Sequence, residues 1–273
     1  MPDDAPGHTE PVLLYDEADR VATITMNRPE RRNALNGELI AALDAAVKRA
    51  AADPAVKVVV LTGAAAPGQH GGFCSGGDVK GSRGPGMELG VPPDALEGDP
   101  SRHDKHAAMS LHLMPKPTIA MIGGPAVGAG FSLAGACDFR YASDDAVFAA
   151  NFTSNGLSGD YGGSIFWTHI VGSANVRRLY LLNEKLTAQQ AAALGMVHEV
   201  VAPVALRQHV AEIAARLAKI PSHLLALVKE NLNSAELELD RRRWLFANEA
   251  NNQQLAAKAM ASRMQQKAAA TER

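Results

Sequence analysis

Between Gly123 and Asp138 the chain reads GGPAVGAGFSLAGACD, five glycines in sixteen residues, directly behind the apolar run TIAMI (118–122). A strand that enters a glycine turn and leaves as a helix of small residues presents unpaired backbone N–H groups at the helix start. The helix dipole favours negative charge at the same place. The usual nucleotide-binding versions do not fit. Leu133 stands where G-x-G-x-x-G needs its third glycine, no G-K-[ST] follows, and Ser132 is not in a G-x-S-x-G elbow. A second glycine turn, GFCSGGDVK (72–80), follows another apolar run, VKVVVLTG (56–63). Gly76 and Gly77 leave their N–H groups accessible because they carry no Cβ. Two backbone donors from separate turns can converge on one carbonyl oxygen, as an oxyanion hole does. Two unrelated glycine turns are the plainer alternative.

The rest of the chain alternates between strand and helix signals. VATITM (21–26) reads as a strand that Pro29 ends, and Leu39, Ile40, Leu43 and Val47 recur at helical spacing behind Asn36 as N-cap. A Gly- and Pro-rich stretch runs from 64 to 100, long enough to be functional. A helix is expected over His103–Leu113, strands at FRYA and AVFAA, and mostly helix from Gly162 onward. Thr187 and Gln190 form a capping box, Gly195 ends that helix, MVHEVV is a short strand, and Pro203 suits a helix start. The pattern predicts an α/β core over 1–200 and a helical region over 201–273. With 273 residues, 47% of them hydrophobic, the chain can bury one large core or a core with a small appendage.

Charge and cysteine content narrow the function classes. A formal net charge of -2 gives no basic field for nucleic acid or anionic lipid, and Arg241–Arg243 reads as a solvated helix face. Cys74 and Cys137 are too few for a disulfide framework, and no apolar run approaches the ~18 residues of a membrane span. The expectation is a cytoplasmic protein without nucleic-acid or membrane partners.

Four segments together carry a resemblance: ITMNRPERRNALNGELI, VVVLTGAAAPGQHGGFCSGGDVK, PKPTIAMIGGPAVGAGFSLAGACDFRYAS and GLSGDYGGSIFWTHIVGSANVRRLYLLNEKLTAQQAAALGMVHEVV. The chain resembles the crotonase superfamily, also called the enoyl-CoA hydratase/isomerase family, over about residues 12–260. The resemblance implies a repeated ββα spiral core and a helical C-terminal region for assembly into trimers or dimers of trimers. It also implies acyl-coenzyme A substrates, with no cofactor or metal beyond the coenzyme A moiety. It places the two oxyanion donors at Gly77 and Ala129. Coenzyme A is then flanked by Arg31, Asn33, Ala34 and the FCS segment, Phe73 to Ser75, with Arg28, Arg31 and Arg32 as candidates for its phosphates.

Reaction type is constrained by what is missing. The hydratases of this family use two glutamates, and their positions fall here on Ser132 and Phe152. Neither ionises, so the pair cannot orient and deprotonate a water. Asp160, in GLSGDYGGS, matches the place where isomerases and a dehalogenase branch carry a catalytic aspartate. Burial would raise its pKa into the working range of a proton carrier. The alternative is a cap on the following helix. Asp78 is expected to brace its loop through backbone bonds. His103 and His106 share one helix face, as a surface pair or as neighbours of the substrate. The expected activity is proton transfer at an enolate, such as double-bond isomerisation. Thioester hydrolysis, another crotonase reaction, or a binding protein with lost catalysis stand behind it.

Overall fold

The computed structural model describes residues 10–78, 106–236 and 239–271. Strands β1 (Leu13–Ala18) and β2 (Val21–Met26) form a hairpin closed by Asp19 and Arg20, both at positive φ, as a primed two-residue turn requires. Helix α1 (Gly37–Ala52) starts where the Leu39 N–H donates to the Asn36 side chain at 2.9 Å, and it buries Leu39, Leu43, Ala46, Val47 and Ala50. Then come β3 (Val58–Gly63), α2 (Ala107–Leu113), β4 (Thr118–Ile122), β5 (Ala126–Val127) and α3 (Ala129–Ala136). Strands β6 (Phe139–Ser143) and β7 (Val147–Ala149) precede α4 (Gly163–Leu181), whose helical geometry breaks at Gly172. The chain ends through β8 (Lys185–Thr187), α5 (Ala188–Ala193), β9 (Glu199–Val201), α6 (Leu206–Ala218), α7 (Ser222–Glu236) and α8 (Leu239–Thr271).

Six strands form the main sheet in the order β1-β2-β3-β4-β6-β9, parallel except for the first pair, and β5-β7-β8 form a smaller one. A parallel sheet has to be covered on both faces. Alternation along β3 shows how: Val59 and Leu61 join the large core with α1 to α4, while Val58 and Val60 face Leu206, Val210, Ala214 and Ala218 of α6. The first long helix after residue 200 therefore closes the sheet itself. The mixed α/β architecture accords with the expected α/β core.

Local expectations and structure differ at a few places. The helix expected from His103 is described from Ala107, with His106 as its N-cap residue, and His103 lies outside the described residues. So does the 79–100 part of the long loop. FCS is no ladder strand: Gly72, Cys74 and Gly77 make only isolated bridges, to Gly63, Ala126 and Leu35. Pro203 opens a short 3-10 turn and α6 begins at Leu206. No described helix is long and apolar enough to cross a membrane.

Candidate active site

The two glycine turns touch. A Cβ on Gly76, which has φ +94°, would lie 2.9 Å from the Val127 carbonyl oxygen and 3.6 Å from the Ala129 nitrogen. A Cβ on Gly130 would overlap the Cys74 carbonyl oxygen, because the Val127 N–H donates to that oxygen at 2.9 Å and draws the segments together. The turn around Gly77 is fixed on its other side: the Leu35 N–H donates to Gly76 O at 2.8 Å and the Asp78 N–H to Leu35 O at 2.9 Å. Among the described residues no backbone carbonyl takes the N–H of Gly77 or of Ala129. Gly77 is exposed. Ala129 opens α3, and Gly76, the residue before Gly77, packs against it.

A second wall is made of acids and phenols. Gly163, whose N–H donates to Asp160 O at 3.1 Å, lies directly against the hydroxyls of Ser132 and Tyr180. Ser132 is one helical turn from Ala129, so the turn that carries Asp160 is joined to α3 through the Gly163–Ser132 contact. The Asp160 Oδ1 is buried and has no hydrogen-bond partner among the described residues. Burial first, and then the charge of Glu249, push its pKa up to about 8. Glu249 comes from α8 and is itself lifted by burial to about 7, held down by the Ser164 hydroxyl and by the amides of Ser164, Gly162 and Gly163. Both carboxyls are raised, and the charge of Glu249 opposes ionisation of Asp160. The charge of Asp160 reaches Cys74 in the 72–80 glycine turn, where burial holds the thiol at about 12.

The positions of the family's two glutamates also fall on this wall. Ser132 is fully buried, and the Phe152 ring stacks on Tyr180 with 5.7 Å between centroids. Tyr180 and Glu249, which sequence reading missed, thus occupy the ground between Ser132, Phe152 and Asp160. His106 is no surface residue: its half-buried ring packs edge-on to Tyr161 at 5.7 Å and near Phe246 at 6.2 Å.

The rim expected to hold coenzyme A is assembled in part. The Ser75 N–H donates to Arg32 O at 3.1 Å and its hydroxyl to Arg31 O at 3.4 Å, so Arg31 and Ser75 are neighbours beside Gly77. Arg31 and Arg32 are exposed, whereas Ala34 is buried. Phe73 has its ring in the core at 1% exposure, which leaves only its backbone for a ligand. Arg28 is not available to a phosphate. Its guanidinium pairs with Asp78 at 2.9 Å and donates to Ala34 O, and both side chains of the pair are largely buried. Asp78, expected to brace its loop through backbone bonds, is held by the side-chain ion pair with Arg28 beside the bond from its N–H to Leu35 O. Asn33 is equally occupied, accepting the Arg28 N–H at 3.0 Å and donating to Ala64 O at 3.0 Å. Among the described residues no group of three or more His, Cys, Asp or Glu is placed to hold a metal ion.

Comparison with known proteins gives consistent results. The sequence model described as enoyl-CoA hydratase/isomerase matches residues 16–269. The 1,2-epoxyphenylacetyl-CoA isomerase of Escherichia coli K12 is 34% identical over 220 residues, 79% of either chain. The 4-chlorobenzoyl coenzyme A dehalogenase-1 of an Arthrobacter species is 32% identical, covering 83% of this chain and 79% of its own. Among solved structures, an enoyl-CoA hydratase from Mycobacterium avium subsp. paratuberculosis K-10 superposes with a TM-score of 0.76 at 31% identity, covering 90% of this chain and 94% of its own.

Proposed function

This chain belongs to the enoyl-CoA hydratase/isomerase family, and from that premise we propose that it isomerises an unsaturated acyl-CoA, with Asp160 as the proton carrier. The thioester oxygen accepts from the N–H groups of Gly77 and Ala129. The Asp160 carboxylate takes a proton from the substrate carbon: the C–H bond breaks, an O–H bond forms, and the electron pair moves onto the thioester oxygen as an enolate. The same carboxyl then returns the proton to a different carbon of the conjugated system, the double bond re-forms in its new place, and the thioester carbonyl is restored. No further co-reactant or cofactor is needed.

The observation that carries this reading is the state of Asp160: a half-buried carboxyl whose Oδ1 is out of reach of solvent and without a partner among the described residues, raised to about 8, on a residue whose backbone carbonyl accepts the Gly163 N–H beside the helix that begins at Ala129. Such a group populates both protonation states near working pH, which suits a carrier that gives and takes one proton. Hydration by a glutamate pair is disfavoured, since Ser132 and Phe152 occupy the two positions. That one relative is named an isomerase adds support. Coenzyme A lies along Arg31, Ala34, Phe73, Ser75 and Gly77, with the Arg31 guanidinium toward a phosphate and Phe73 contributing backbone only. Assembly into trimers or dimers of trimers accounts for Leu224, Leu227, Val228 and Leu232, which leave α7 with an exposed apolar stripe.

The test incubates the protein in deuterated water with saturated and unsaturated acyl-CoA thioesters and follows mass shift, double-bond position and free thiol. Deuterium entry with a moved double bond, lost by about 10²–10⁴-fold in Asp160→Asn while the Kd for the thioester stays within twofold, is the expected result. Thiol release without isomerisation would establish hydrolysis instead. Tight binding with neither would establish a binding protein.

A further inference from the structure

Helix α8 turns two side chains, one helical turn apart, toward the segment that carries Asp160. Gln253 Oε1 accepts the N–H groups of Ser158 at 2.8 Å and Gly159 at 2.9 Å. Glu249 Oε1 accepts the Ser164 N–H at 3.0 Å in the first turn of α4. Asp160 lies between these two anchors. A Cβ on Gly159 would be 3.3 Å from Glu249 Oε1, so that carboxyl sits against the residue preceding Asp160. The anchors do not use up the polar atoms they bring in. Asp160 Oδ1, Glu249 Oε2 and Gln253 Nε2 are all buried without a hydrogen-bond partner among the described residues. A cap would be complete with an amide or a hydroxyl, so a second acid that leaves one oxygen unpaired in this pocket is unexplained by capping alone.

We infer that Glu249 is a positioning residue for Asp160: it fixes the turn from which Asp160 projects, and its charge governs when Asp160 ionises. The inference rests on the proton-carrier reading of Asp160 for its consequence in turnover, and stands apart from it for the coupling itself. The other titratable groups facing Asp160 or packed beside it are Cys74 on the glycine turn, Tyr161 and Tyr180 on either side of it, His106 against Tyr161, and Asp44 of α1, whose charge reaches Tyr161. Burial lifts the thiol and both phenols far enough that they are neutral at working pH. Asp44 is occupied with the Ala107 N–H at 2.7 Å. Among the described residues, His106 is then the competing influence to be separated by experiment.

Glu249→Gln keeps an oxygen for the Ser164 N–H and removes the charge. The ionisation of Asp160 is read in the free protein by infrared titration with carbon-13 aspartate, the band being assigned by its loss in Asp160→Asn. In Glu249→Gln the midpoint is expected to move at least one pH unit lower, a tenfold change in proton affinity, and the low-pH limb of the deuterium-exchange profile moves with it. By linkage, Asp160→Asn lowers the Glu249 midpoint by the same amount, read with carbon-13 glutamate, which keeps the inference testable if Glu249→Gln does not fold. An Asp160 midpoint that stays in place in Glu249→Gln overturns the inference, as does an equal shift in His106→Gln. Full exchange in Asp160→Asn would sink the proton-carrier reading, and the infrared result, obtained without turnover, would still decide on the pair.

Discussion

The two walls of the site are built on opposite terms. The wall proposed to hold the oxyanion is backbone throughout: glycines at 76 and 130 let two segments approach until carbonyl and amide bonds join them, and among the described residues the N–H groups of Gly77 and Ala129 are left without a backbone acceptor. Its precision comes from the absence of side chains and from satisfied hydrogen bonds. The acid wall is made of side chains that each leave one polar atom out of reach of solvent and without a hydrogen-bond partner among the described residues. Its reactivity comes from that shortage. A backbone hole tolerates no added atom at its contacts, whereas the acid wall stores its function as a cost to stability.

The contrast breaks first at Gly130. Alanine there meets the Cys74 carbonyl oxygen, so Gly130→Ala is expected to lose about 3 kcal/mol or more of stability by urea unfolding, and thioester binding with it. A melting curve unchanged from wild type would show the two segments to be less tightly joined than the glycines imply. The acid wall predicts the opposite sign. A carboxyl whose native pKa is about 8 contributes stability that is present below its ordinary value near 4 and is lost as pH rises through 8. Asp160→Asn should therefore match wild type at acid pH and exceed it by about 5 kcal/mol at about pH 8.5, measured by urea unfolding at both pH values. Equal stability at both would mean that the pocket is wet. The smallest effect is expected at Gly77, where a Cβ meets nothing within 4 Å. Gly77→Ala keeps the backbone donor, so kcat should stay within about twofold and stability within about 0.5 kcal/mol. A large loss of kcat would show that substrate packs where the methyl would be.

The same division explains what could be read in advance. Strands β2 and β4 lie where VATITM and TIAMI put them, and the Asn36 cap and the Thr187–Gln190 box are in place, because each depends on neighbours a few residues away. The glycine turns were legible for a related reason: a close approach requires a residue type, and glycine announces it. Asp160 was found through the resemblance, and its surroundings were not. Glu249 and Gln253 lie in FANEANNQQ, which has the look of a solvated helix, and act on residues 85 and 94 positions earlier in the chain. Nothing local marks an acid as destined for a buried contact at that distance. Tyr180, inside LYLL, reads as core until Ser132 and Phe152 are seen against it. Arg28 and Arg31 are alike in sequence, and only the packing of Asp78 decides that one is a brace while the other stays exposed.

The anchoring of the Asp160 turn by α8 has a consequence for biosynthesis. A nascent polypeptide emerges N-terminus first. Once residue 130 has left the ribosome, both glycine turns are available, and the thioester-gripping half of the site has all its parts. The two buried acids cannot meet until residue 253 has followed, more than a hundred residues later in translation. The acid pair is thus completed after the glycine turns, and on the proposed reading a ribosome-bound chain stalled before that point would carry Asp160 without the residue that positions it.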